Sequence, residues 1–367
     1  FAVGSLMVAP RLDIHLNKIY HNAGELVSRL AERGISVTGV TKASLGSIEI
    51  ANTLLRAGVV SLGDSRIENI KAMRMAGSDG CMMLIRSPML SQVRQVVKSV
   101  NISCNTEIDI IKALSVEACQ QGCTHQILLM VELGDLREGI MPDDLVDTVR
   151  EVISLPNILL KGIGANLACR SGVSPNKKNM AKLSELAERV EKSFGITLDI
   201  VSGGNSANIQ WALNASKTDT KRINHLRLGE SILLGCEPLQ RQPIEGLHGN
   251  AFTLVAEVIE SKLKPSKPIG DIAQTALGEV SLLTGQAVND RGMVKQSILA
   301  IGLQDVDYTS LQAPKGIVIM GASSDHLIIE SINNDLKIGD EVSFQLNYSA
   351  LLRAMTSPFV NKVLSEH

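Results

Sequence analysis

SVTGVTKASLGSIEIANTLLRAGVVSLGD, residues 36–64, holds one complete repeat of the unit that decides the fold. The run Ser36–Thr41 is short and β-rich and ends on Lys42. An amphipathic stretch follows, stops at Ala57-Gly58, and gives way to a second β-rich run from Ser61. The same beat continues along the chain. An opening strand, Arg11 to Leu16, leads into a helix with Ile19, Ala23, Leu26, Val27 and Leu30 at helical spacing. Eight strand segments then each precede a helix: 36–41, 61–63, 81–85, 102–104, 125–133, 158–167, 199–203 and 225–228. Further helix stops stand at Ala76-Gly77, Gln121-Gly122 and Phe194-Gly195. Eight β-then-α units imply an α/β protein built on a closed (β/α)8 TIM barrel. An open doubly wound sheet would carry a dinucleotide fingerprint after its first strand, and none is there.

Past about Gly246 the texture changes. Strand-like runs at 252–259, 294–301, 317–320, 327–332 and 342–346 are separated by Gly, Pro, Asp and Asn turns, with no long helix between them. This reads as a smaller all-β C-terminal domain. The expected division is 7–240 for the barrel and 241–367 for the β domain, with a possible contribution from the strand 11–16. The segment Leu263 to Gly270 reads as a loop. Phe1 to Leu6 read as a remnant ahead of a start at Met7, without the charged and long apolar regions of a secretion signal.

The 367 residues are 44% apolar and 20% charged, with a net charge of −2. That balance argues against a nucleic-acid partner, which needs a clustered basic excess. No apolar run approaches the roughly 18 residues of a membrane span. The six cysteines (81, 104, 119, 123, 169 and 236) show no zinc-like spacing with histidine, so no metal is expected. They read as buried free thiols of a reducing cytoplasm.

A barrel of this kind gathers its chemistry at the C-terminal ends of its strands. There the sequence delivers Lys42, Asp64-Ser65-Arg66, Arg86, Asn105, Arg137, Asn166, Ser202-Gly203-Gly204-Asn205-Ser206 and Arg227-Leu228-Gly229-Glu230. A lysine closing a strand points into the mouth, where burial lowers its pKa and frees a nucleophilic amine. The loops after the seventh and eighth strands are the usual phosphate cradle of the fold. Here they bring paired glycines, hydroxyls and helix N-terminal amides, with the backbone of Glu230 rather than its carboxylate facing the anion. Arg227, directed inward, needs either a carboxylate or a ligand atom as partner.

Several of these segments, in order, resemble the alanine racemase family. They are Leu16–Asn22, Val40-Thr41-Lys42-Ala43, Gly162–Leu167, Ser202–Ser206 and Arg227-Leu228-Gly229. In the tail, Gly302–Asp307, Gly321–His326 and Asn347–Leu352 look most like the ornithine racemase-type branch. The resemblance implies an isomerase that uses pyridoxal 5'-phosphate (PLP), held by Lys42 as a Schiff base. Its phosphate would lie against Ser206 and the amides of Gly229 and Glu230, with Ser202, Asn205 and Asn166 around it and Arg227 facing the pyridine nitrogen. Arg137 would bind the substrate carboxylate. The substrate class implied is a basic amino acid, ornithine or lysine, in a head-to-tail homodimer with shared active sites.

Three departures bear on that reading. Ser44-Leu45-Gly46 stands where the family has a tyrosine, Asn166 replaces a ring-adjacent histidine, and the family's second catalytic base, a tyrosine, aligns near Leu303. Racemisation needs a proton donor or acceptor on each face, and Lys42 serves one face only. Asp305, Asp325, His326 and Tyr348 are the candidates for the other, or for binding a substrate ammonium group. The competing readings are a non-catalytic PLP-binding homeostasis protein, a racemase for alanine- or serine-type substrates, and a fold-related lyase or decarboxylase. The first lacks a β domain; the last would show a His-x-Cys pair or a cysteine-bearing loop after Cys236, and neither is present.

Overall fold

β1 (Arg11–His15) runs directly into the helix Leu16–Ala31, and the barrel then closes around eight parallel strands. These are β2 (Ser36–Val40), β3 (Ser61–Asp64), β4 (Met82–Leu84), β5 (Ile102–Asn105), β6 (His125–Val131), β7 (Ile158–Ala165), β8 (Ile200–Ser202) and β9 (His225–Leu228), in sequential order. β2 pairs with β9 from Ser36↔His225 to Gly39↔Leu228, which seals the cylinder. The computed structural model describes residues 8–271, 273–274, 290–332 and 335–366, so the stretch through Met7 lies outside the described residues.

Helices pack on the outside by their apolar stripes. Leu16, Ile19, Ala23, Leu26 and Leu30 of the first helix are all buried, the i, i+3, i+4 pattern that the sequence shows. β7 and β8 approach so closely at Gly162 that a Cβ there would sit 1.8 Å from the Ile200 carbonyl oxygen, so only glycine fits.

The barrel interior is divided by chemistry. Met83, Ile102, Cys104, Leu128 and Met130 form an apolar cluster, with Cys81, Ile85 and Ile200 packed against it. Elsewhere in the interior, Thr38, Ser61, Ser202, His225 and Arg227 are hydrogen-bonded to one another, none more than 5% exposed. The expectation of uniformly buried thiols fails. Only Cys104 is buried; Cys81, Cys123 and Cys236 are partly covered, and Cys119 and Cys169 are exposed.

Two buried histidines have an energetic consequence. Burial holds the His125 imidazole down to about 4, and burial together with nearby Arg227 holds His225 down to about 3, against an ordinary 6.5. Below 6.5 the unfolded chain takes protons that the native barrel refuses, so stability falls as pH drops from 6.5 towards about 4. The slope is up to ~1.4 kcal/mol per pH unit for each histidine. His125 hydrogen-bonds Ser103 Oγ through Nε2 at 2.8 Å. His125→Gln is therefore expected to flatten the acid limb of urea-derived stability against pH. An unchanged slope would mean that the native imidazole is already charged.

The C-terminal unit is a sheet of β10 (Phe252–Pro265), β11 (Met293–Leu299), β12 (Leu311–Gln312), β13 (Ile317–Ala322), β14 (Leu327–Ser331) and β15 (Glu341–Leu346), in the order β12-β15-β10-β11-β14-β13. β1 joins this sheet rather than the barrel. It is antiparallel to β10 from Arg11↔Val255 to Ile14↔Phe252, and parallel to β16 (Asn361–Ser365) from Arg11↔Asn361 to His15↔Ser365. Arg11 also grips Glu341 with both Nη atoms, at 2.5 and 2.8 Å.

Three details differ from expectation. β10 continues through Leu263-Lys264-Pro265, paired with Lys295, Val294 and Met293, where a loop was expected. The proline is tolerated because it ends the strand. A helix, Tyr348–Thr356, interrupts the β texture; Asn347 caps it by accepting from the amides of Ser349 (3.0 Å) and Ala350 (3.3 Å). The chain also divides later than residue 240, into Leu16–Gly249 and a unit that joins the N-terminal stretch through His15 to Asn250 and beyond. The reason is local. His248 N–H donates to Asn22 Oδ1 (2.7 Å), Asn22 Nδ2 returns a bond to the His248 carbonyl (2.9 Å), and Arg29 reaches the Glu245 carbonyl (2.9 Å).

Candidate active site

Lys42 opens a tight turn at the end of β2, with Leu45 in the left-handed region at φ 51°. Thr41 anchors the turn by donating from Oγ1 to Asp64 Oδ2 at 2.8 Å. Asp64 is fully buried; its other oxygen accepts from the Arg66 amide (2.9 Å) and Asn69 Nδ2 (3.1 Å). Burial pushes the Lys42 amine below the usual lysine range, and the positive charge of Arg137 pushes it the same way. Cys169, Asp64 and Glu138 oppose that shift without overcoming it. The amine thus reaches its nucleophilic form at a lower pH than an exposed lysine does.

The loop after β6 carries Arg137. Asp135, 1% exposed, receives backbone N–H bonds from Cys169 (3.0 Å), Arg170 (2.9 Å), Ser171 (3.2 Å) and Val173 (3.1 Å). Those bonds outweigh burial and hold its carboxyl below the ordinary range. They also clamp the β6 loop to the β7 loop. Gly139, at φ 154°, lies so near Glu132 that a Cβ would sit 2.3 Å from its nitrogen. Arg137 itself pairs with Glu138, through Nε to Oε2 and from Nη2 to Oε1 at 2.5 Å.

After β7 and β8, Asn205 Nδ2 donates to Asn166 Oδ1 and to the Leu167 carbonyl, both at 2.9 Å, and to Cys169 Sγ at 3.3 Å. Its Oδ1 caps the following turn by accepting from the Ala207 amide at 2.7 Å. The Nδ2 atom of Asn166 is buried and has no acceptor among the described residues. Ser206 Oγ lies 3.0 Å from Ser231 Oγ and accepts from the amides of Gly229 (3.3 Å) and Ser231 (3.1 Å). Hydroxyls of Ser206 and Ser231 and the amides of Gly229 and Ser231 therefore converge at the ends of β8 and β9. The Glu230 carboxyl, raised by burial, turns towards Arg241 at 3.5 Å.

Arg227 is 5% exposed, and its recorded acceptors are neutral: Ser202 Oγ, and the Ala165 carbonyl at 2.8 Å. No ion pair to it occurs among the described residues. The Ser202 hydroxyl is thus engaged by Arg227 and His225.

The four tail candidates differ. Asp305 is 7% exposed and braces a turn, accepting from Ser357 Oγ (2.6 Å) and the Gly302 amide (3.3 Å). Asp325 and His326 lie exposed on the turn between β13 and β14, with Asp325 Oδ1 2.8 Å from His326 Nδ1. Tyr348 begins the helix Tyr348–Thr356 and is half-buried. No metal-ligating cluster and no helix long and apolar enough to cross a membrane occurs among the described residues.

The family model "Alanine racemase, N-terminal domain" matches residues 14–238. The chain belongs to the alanine racemase family. Within and near it, the chain is 38% identical to a lysine racemase of Thermotoga maritima and 39% identical to an ornithine racemase of Acetoanaerobium sticklandii. Each alignment covers 97% of this chain and 99% of the relative. The fold also matches an alanine racemase from a D-cycloserine-producing Streptomyces lavendulae, at a TM-score of 0.73 and 16% identity over 97% and 96% of the two chains. At that identity the likeness to the alanine racemase speaks for architecture alone. The family model ends before β10, so the tail residues lie outside it.

Sequence reasoning passed over His225, Thr38 and Ser61. A signal was present: polar side chains recur two apart on strands that otherwise read as apolar, as in His225-x-Arg227. Glu138, whose charge bears on Lys42, Arg137 and Arg227, was likewise visible only as part of a motif.

Proposed function

We propose that this chain interconverts the enantiomers of a basic amino acid, with PLP held at Lys42. The observation that carries the reading is the near-full-length likeness to a lysine and an ornithine racemase, joined to a half-buried lysine of lowered pKa at the end of β2. The residues present suit the cofactor. Arg227 has only neutral acceptors, the buried Asn166 Nδ2 lacks one, and the Ser206 and Ser231 hydroxyls sit beside the Gly229 and Ser231 amides. That is a set of donors for an anionic, nitrogen-bearing ring.

When bound, PLP supplies an electron sink conjugated to the substrate Cα, which makes its hydrogen acidic. Lys42 would provide the attachment point and, as a free amine, a base on one face. Arg227 cannot readily give up a proton, so placed against the ring nitrogen it would act as a donor without protonating it and would keep the sink weak. A weak sink suits proton exchange at Cα and discourages transfer of the amino group. Arg137 exchanges Glu138 for the substrate carboxylate, which its planar fork fits.

For the second face, His326 is our assignment among the four candidates. Asp325 accepts from Nδ1–H and leaves Nε2 as a base, whereas Asp305 is taken up by Ser357 and Gly302. In this proposal His326 comes from the partner subunit of a head-to-tail dimer, in the cytoplasm. His326→Gln is expected to slow Cα deuterium washout from one enantiomer about 10²-fold or more, and from the other far less. Equal slowing from both, or a fully active monomer in sedimentation-linked assays, would remove this assignment.

The overall reading is tested by incubating purified protein with L-ornithine, L-lysine and L-alanine, followed by chiral analysis. D-ornithine or D-lysine in excess over D-alanine is the expected result. D-alanine in excess would move the substrate class to small amino acids. A cofactor-loaded protein inert to all three would favour a homeostasis role.

A further inference from the structure

Behind Arg227 lies a buried chain of polar side chains that the proposed chemistry does not call on. Arg227 Nη1 donates to Ser202 Oγ, which lies 2.8 Å from His225 Nδ1. His225 Nε2 lies 2.7 Å from Thr38 Oγ1, and Thr38 Oγ1 lies 2.5 Å from Ser61 Oγ. The groups come from β9, β8, β2 and β3, and none is more than 5% exposed.

The direction of every bond follows from one fact. A guanidinium has five N–H donors and no lone pair, so Ser202 must accept from Arg227. The single proton of Ser202 is then left for His225 Nδ1, which must accept it. Were Nδ1 protonated instead, the Ser202 hydroxyl would have no recorded acceptor, and a buried donor without one costs about 1–3 kcal/mol. His225 therefore carries its proton on Nε2 and donates to Thr38, which donates on to Ser61. All four bonds run away from the arginine. Each donated bond makes the oxygen behind it a better acceptor, so the chain strengthens the hold on Nη1.

We propose that neutral, Nε2-protonated His225 is a positioning residue that acts through Ser202 to fix the plane of Arg227 and keep its remaining donors turned to the ring nitrogen. This rests on the reading of Arg227 given above. A carboxylate in the place of Ser202 would hold the guanidinium too, but would spend its charge within the wall. A chain of neutral groups holds it and leaves that charge for the ligand. The charge that bears on His225 is that of Arg227 itself, which further disfavours a second cation there.

Nitrogen-15 NMR of histidine-labelled protein, with and without cofactor, reads the tautomer directly. The expected His225 signals are a pyridine-type Nδ1 and a pyrrole-type Nε2, unchanged between about pH 5 and 8. A protonated Nδ1 in either form would overturn the proposal. Ser202→Ala is expected to lower kcat about 10- to 100-fold with little change in KM, to raise amino-group transfer relative to racemisation, and to mix the His225 tautomers. Ser202→Thr, which keeps the hydroxyl, should restore kcat to within a few-fold. Equal behaviour of the two variants would also overturn it. If the tautomer is as expected and Arg227→Gln leaves the partition between the two reactions unchanged, the chain stands and the assignment of Arg227 to the ring nitrogen fails.

Discussion

Replacing Lys42 by alanine is expected to lower racemisation by at least about 10³-fold and to abolish the visible absorbance of the protein after desalting. Both losses come from one side chain with two duties, attachment and proton transfer. Lys42→Arg separates charge from nucleophilicity: it keeps the cation in the wall and should fail equally, since a guanidinium does not deprotonate near neutral pH. The lowered pKa adds a pH dependence. The reactive free amine accumulates as pH rises, so the alkaline-going limb of PLP capture by the cofactor-free protein should have its midpoint below the ordinary lysine value of 10.5. A Lys42→Ala protein that stays coloured and active would put the attachment elsewhere. A limb at or above 10.5 would show that burial does not govern the amine.

Arg227→Gln carries the second large effect. Racemisation is expected to fall about 10²- to 10³-fold, the range seen when a preorganised donor is removed from an active site. Slow transfer of the substrate amino group to the cofactor should become measurable at the same time. The two observables move in opposite directions, which separates an electronic role from simple loss of binding. Some destabilisation accompanies the change, about 1–3 kcal/mol, because Ser202 and the Ala165 carbonyl lose a buried donor. A variant with reduced racemisation and no amino-group transfer, at unchanged melting temperature, would argue that Arg227 serves packing or binding alone.

The barrel was legible because its signal is local and repeated. Each strand is a short β-rich run with a helix behind it, several of them stopped at a glycine, and the eight described strands fall within the eight runs read from the sequence, apart from one-residue extensions at Asp64 and Asn105. Lys42 was legible for the same reason, since a strand end fixes its position. The β domain was harder to read. Its helix Tyr348–Thr356 is short and depends on the Asn347 cap, and β16 is held by a partner at the opposite end of the chain. Neither leaves a periodic trace. The chain behind Arg227 was missed because strand alternation marks a residue as inward or outward without saying whether its inward neighbours are polar. Thr38, Ser202 and His225 meet only when three strands are set side by side. The thiols were misjudged from composition, which carries no information on where a loop such as that of Cys169 will lie.

The position of β1 makes the barrel, in topological terms, an insertion within the β domain. β1 leaves the ribosome before the barrel, yet its partners are residues 252–255 and 361–365. It must wait, as an unpaired edge, while the whole of Leu16–Gly249 is synthesised. The barrel pairs neighbours in sequence and can close on its own account during translation; the β sheet cannot be completed until the last strand is released. Biosynthesis therefore has an enforced order, barrel before sheet, and a chain cut short before Asn361 would keep β1 without its parallel partner, open to pairing with another chain.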